Sequence, residues 1–86
     1  GVRSDVAVKV YGDEFETMTE AANKIASVLR SIEGAADVKV EQTTGLPILD
    51  IDLNKDAIAR YGLNVGDILD LVSAAVGGKE AGLVFE

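Results

Sequence analysis

The chain has 86 residues, 48% of them hydrophobic and 27% charged, with a formal net charge of −7 and no cysteine, histidine or tryptophan. That length supports one domain near the lower limit of a self-sufficient core, with no disulfide to compensate. Without His or Cys, a zinc or copper centre would have only carboxylates and Met18 to draw on, and the scattered acids offer no basic stripe for nucleic-acid phosphates.

The first element is the stretch SDVAVKVYG (residues 4–12). Val6, Val8 and Val10 alternate with Asp5, Lys9 and Tyr11, the period of a half-buried strand. Gly12-Asp13 breaks it. Apolar residues then recur at Phe15, Met18, Ala22, Ile25, Leu29 and Ile32, spaced by three or four, which predicts an amphipathic helix of about five turns. Gly34 suits the left-handed position that ends such a helix.

ADVKVEQ (36–42) predicts a second strand with Val38 and Val40 inward. In the turn TTGLP, Gly45 can take positive φ, and Pro47 stands at a strand start, where its missing donor is tolerated. PILDIDL (47–53) predicts a third strand, with Leu49, Ile51 and Leu53 alternating against Asp50 and Asp52. Asn54 is a good N-cap for a short helix that buries Ile58 and Tyr61 and ends at Gly62. Asn64 caps a further helix, 65–76, whose stripe is Val65, Ile68, Leu69, Val72 and Val76. Gly77-Gly78 closes it, and GLVFE opens a strand that the chain is not expected to finish.

The order β-α-β-β-α-α, with a possible final β, predicts an α+β fold of ferredoxin-like, split β-α-β type. Helices cover one face of a mainly antiparallel sheet, while the other face carries Asp, Lys and Glu and is either solvated or docked. Helix one brings six inward apolar residues, each worth roughly 1.5–3 kcal/mol if large and fully buried, a useful but not generous core.

No constellation of residues predicts catalysis. The serines have no histidine to activate them. GLNVGD and AAVGGKEAG match neither a phosphate loop nor a dinucleotide fingerprint. An acylphosphatase-like site would need an arginine and an asparagine converging on one loop, but Arg3 precedes strand one and Asn54 caps a distant helix. Asp50 and Asp52 share a strand face about 7 Å apart; a solvated face is expected over a hard-cation pair. Met18 lies on the apolar stripe, where core filling is the ordinary use. No enzyme, metal site or cofactor is expected. No apolar run approaches the roughly 18–20 residues of a membrane span, and no signal peptide is visible.

The break at Gly62-Leu63-Asn64 is the least ordinary feature, because one continuous helix would be simpler to encode. It is read either as a corner inside one core or as a junction between subdomains.

GVRSDVAVKVYGD, EGAADVKVEQTTGLP, ARYGLNVGDI and AVGGKEAGLVFE together resemble the periplasmic part of heavy-metal efflux pumps of the resistance–nodulation–division (RND) superfamily, over essentially the whole chain. Glu33 stands where a Pro-Gly pair is commoner in that family, a departure at a helix end. The resemblance implies part of the second large periplasmic loop of an inner-membrane transporter. Residues 1–62 would belong to a porter subdomain and 63–86 to the start of a docking subdomain, as one compact unit in isolation. Gly62, Leu63, Asn64, Gly77 and Gly78 would then mark the junction and docking segment. It further implies a homotrimeric pump that exchanges protons for metal ions, joined to a periplasmic adaptor and an outer-membrane channel. The family's proton-relay acids lie in membrane helices, which this chain lacks, and no metal ligand is carried over. The competing reading is a stand-alone ferredoxin-like or ACT-like small-ligand or interaction domain with a complete final strand near Gly82. A fragment of a pump would instead leave strand edges able to dimerise or swap.

Overall fold

The computed structural model describes residues 1–32, 34–42, 45–76 and 81–85. Its elements in chain order are β1 (Arg3–Gly12), α1 (Phe15–Arg30), β2 (Ala36–Gln42), β3 (Pro47–Asn54), α2 (Lys55–Arg60), α3 (Val65–Val76) and β4 (Ala81–Phe85). The four strands form one sheet in the order β2-β3-β1-β4, with every neighbouring pair antiparallel.

Register follows from the alternation of apolar residues. Val8 sits opposite Leu49 and Val6 opposite Ile51 across β1 and β3, while Val40 and Val38 meet the same two residues from β2. Val10 meets Leu83 across β1 and β4. Shifting any strand by one residue would turn this set to the wrong face, so burial pins the pairing. The helices cover the face these residues share. α1 and α3 pack against each other there, and α2 touches β3.

Met18, Ala22, Ile25, Leu29 and Ile32 are buried as the helical spacing predicts, joined by Ala21 and Ala26. Ile25 and Leu29 are wholly enclosed. Phe15 is a correction: at the first residue of α1 it is 53% exposed, because the stripe meets the sheet only a turn later. α1 itself ends at Arg30, and Ser31 caps it with backbone bonds to Val28 and Leu29. Gly34 and Gly45 take φ of 75° and 101°, and Pro47 is buried at the first position of β3.

The final strand differs most from the sequence reading. Rather than an unfinished start, β4 pairs along β1 from Val8↔Phe85 to Gly12↔Ala81. With α3 beside α1, the unit is β-α-β-β-α-α-β. Gly77 and Gly78 lie outside the described residues.

Candidate functional site

Two features of this scaffold are candidates for function: the corner between α2 and α3, and the sheet face turned away from the helices.

The corner is built from both sides. α2 starts where the Asn54 side chain accepts a hydrogen bond from the Ala57 N–H at 3.1 Å. Its other end is a Schellman closure. Gly62 takes φ 77°, its N–H donates to the Ala59 carbonyl at 2.9 Å, and the Leu63 N–H donates to the Ile58 carbonyl at 3.1 Å. The next helix begins at once with a reciprocal cap. The Asp67 N–H donates to Asn64 Oδ1 at 2.8 Å, and the Asn64 N–H donates to Asp67 Oδ2 at 2.9 Å. The Asp67 carboxylate also lies in the first turn of α3, where the helix dipole favours negative charge. Leu63, between the two caps, packs against the core that holds Ile58 and Ile68. Gly62, Leu63 and Asn64 therefore come together as a bonded elbow.

Ile58 is buried as expected, but Tyr61 is 52% exposed. Tyr61 is the C-cap residue of α2, already turning out of the helix, so its side chain leaves the apolar face. On α3, Ile68 and Val72 are buried, while Val65, Leu69 and Val76 are half-buried at the margins. Asp67 was missed as Asn64's partner, although the Asn-x-x-Asp spacing was available to show it.

On the open face, the register stacks three carboxylates across adjacent strands: Asp5 opposite Asp52, and Asp52 opposite Asp37. Neighbouring strands lie about 4.8 Å apart, so these like charges repel. Arg3 relieves the middle one, its guanidinium 3.7 Å from Asp52 Oδ2, while Asp52 Oδ1 is sheltered with no hydrogen-bond partner. Lys39 stands opposite Asp50 in the next row, which ends at Ala7. A shallow concavity of about 680 Å³ lies over these residues. Among the described residues no three acidic side chains converge on a point that could hold a metal ion. Asp50 and Asp52 could be read from sequence; Asp5 and Asp37 join them only through strand pairing. Met18 is in the core.

A four-stranded antiparallel sheet in the order β2-β3-β1-β4, with its helices on one face, defines a ferredoxin-like α+β domain. A designed protein with ferredoxin fold, LFR1 1, superposes with a TM-score of 0.65 at 14% identity, covering 100% of this chain and 84% of its own. A conserved protein of unknown function from Bacteroides thetaiotaomicron gives a TM-score of 0.62 at 14% identity, over 99% of this chain and 94% of its own. Those likenesses concern fold alone.

Descent is clearer from sequence: the chain belongs to the AcrB/AcrD/AcrF family, whose model matches residues 1–86. It is 52% identical to protein HelA of Legionella pneumophila and 51% identical to the cobalt-zinc-cadmium resistance protein CzcA of Cupriavidus metallidurans. It is 31% identical to the cation efflux system protein CusA of Escherichia coli K12. Each match takes in 100% of this chain and 8% of the relative. The resemblance to heavy-metal efflux proteins of the RND superfamily is thereby borne out. Among the described residues no helix is long and apolar enough to cross a membrane.

Proposed function

We propose that this chain is a periplasmic segment of a proton-driven heavy-metal cation efflux transporter, and that it serves as a rigid part of the porter region during alternating access. The supporting observation is the uninterrupted match of all 86 residues to proteins named for metal resistance and cation efflux. The chain itself performs no catalysis and holds no cofactor in this reading. Its work is mechanical. Alternating access needs bodies that tilt without deforming, and a sheet backed by packed helices and a doubly capped elbow resists deformation. In the parent pump its partners are the rest of the protomer, two further protomers at the inner membrane, a periplasmic adaptor and an outer-membrane channel.

The test is to restrain it. In the full pump, a cysteine replacing Ala7 on the open face is paired with one on the neighbouring subdomain. Oxidation is expected to abolish metal resistance, and reductant to restore it; efflux unchanged by a complete cross-link overturns the reading.

Within the pump we place residues 1–62 in the porter subdomain and 63–86 at the start of the docking subdomain. Tyr11 and Gly82 are register partners across β1 and β4 in this chain. A Tyr11→Cys, Gly82→Cys pair in the full pump stays unbridged if 63–86 leaves the sheet there; an efficient bridge would assign α3 and β4 to the porter body instead.

One observation favours a second reading, that of a stand-alone interaction or small-ligand domain: the closed β-α-β-β-α-α-β unit with its last strand at Ala81–Phe85. Thermal shift of the 86-residue chain against a panel of amino acids and nucleotides separates the two, since the pump reading expects no stabilisation.

A further inference from the structure

Burial is shared unevenly along the chain. Among the described residues, fifteen of the seventeen buried apolar side chains lie before Tyr61, and only Ile68 and Val72 come after it. α3 and β4 nevertheless hold three of the seven exposed large hydrophobics, Leu71, Val84 and Phe85. α3 packs chiefly on α1, and β4 pairs with β1 alone at the edge of the sheet. No residue of β4 is fully buried. The part before the elbow is closed on itself. The Lys55 N–H donates to the Val2 carbonyl at 2.6 Å and the Asn54 N–H to the Ala35 carbonyl at 2.8 Å, which ties the start of α2 to the segments leading into β1 and β2.

We infer that α3 and β4 form an arm that opens as one unit, pivoting between Leu63 and Asn64 while the body before it stays folded. The hydrogen bonds at the elbow divide at that link. Gly62 and Leu63 donate back into α2, whereas Asn64 exchanges bonds forward with Asp67, so a turn between them breaks neither cap. The two elements leave together because each covers the other. Val76 at the end of α3 and Ala81 and Leu83 of β4 line one notch of about 250 Å³ and rest on the same core. Opening uncovers Ile68, Val72 and the edge of β1 from Val8 to Gly12, a small loss beside that of global unfolding. Once free in water, α3 has twelve residues, too few to hold a helix alone, so its amides are exposed with those of β4. The open form is a minor state, and the closed form remains the rigid body. The inference stands on packing inside the chain and does not rest on the pump reading.

The experiment is native-state hydrogen exchange on the 86-residue chain, read amide by amide. α3 and β4 are expected to share one opening constant, at least about 100-fold larger than that of α1 and β3 and less steeply dependent on urea. Two variants place the pivot. The left-handed strain of Gly62→Ala is present in both closed and open forms. It should therefore raise the opening constant of α1 and β3 by about 5- to 30-fold and leave α3 and β4 within about twofold. Ile68→Ala weakens only the closed form and should raise both sets by a common factor. A single opening constant for the whole chain overturns the proposal. So does β4 opening while α3 stays protected, or Gly62→Ala raising all regions equally. None of these outcomes bears on the pump reading, whose tests use the full transporter.

Discussion

Gly62 sits at φ 77° with nothing within 4 Å of where a Cβ would stand, so the objection to a side chain there is conformational and not steric. Gly62→Ala is expected to cost about 1–2 kcal/mol, the left-handed penalty, and urea unfolding of the purified variant checks it. Gly66, in the first turn of α3, poses the opposite problem. Its backbone is helical, so alanine gains up to about 1 kcal/mol of propensity, but the new Cβ would press on Asn64 Oδ1 at 3.2 Å. That oxygen is holding the Asp67 N–H. Gly66→Ala should therefore have a much smaller effect than Gly62→Ala, by the same assay. Asn64→Ala removes a cap outright and should cost about 1 kcal/mol. Because Asn64 and Asp67 serve each other, Asp67→Ala added to Asn64→Ala should cost less than the sum of the two single changes.

At the scale of elements, the apolar period located α1, β1, β2 and β3 well, because each has one face on the core and one in water. What the period could not convey is where an element stops touching its neighbour. Phe15 and Tyr61 are both in phase with buried residues, yet each is a terminal position whose Cβ points past the core. Ile58→Ala should lower stability by about 2–5 kcal/mol, whereas Tyr61→Ala should cost under about 1 kcal/mol. The open face shows the same limit. Asp50 and Asp52 were visible as a pair along β3, but the row Asp5–Asp52–Asp37 runs across strands and depends on register. Asp37→Asn is expected to stabilise by about a few tenths of a kcal/mol and to flatten the salt dependence of unfolding, since it removes one end of that row and leaves the Arg3 pair intact.

For the whole molecule, closure of the fold rested on a segment whose pattern was too brief to weigh. AGLVF has five residues and one strongly inward position, Leu83, and only the presence of an empty edge on β1 gives it a place. The elbow at Gly62–Asn64 was legible because capping chemistry is local. Its role is not local, and the same residues would make a sound corner in a small domain or in a large transporter.

The central position of β1 has a consequence for the nascent chain. β1 leaves the ribosome before any of its strand partners, yet it needs β3 on one side and β4 on the other. Val8 waits roughly forty residues for Leu49, and α1 is the first element after β1 that packs on it. An early hairpin of β2 and β3 would then dock on a strand already shielded by its helix, leaving the β4 side as the last seam to close. A newly made chain thus passes through a stage in which β1 has one side unsatisfied. Handling of this segment during translation should depend more on how soon β4 arrives than on the final stability of the sheet.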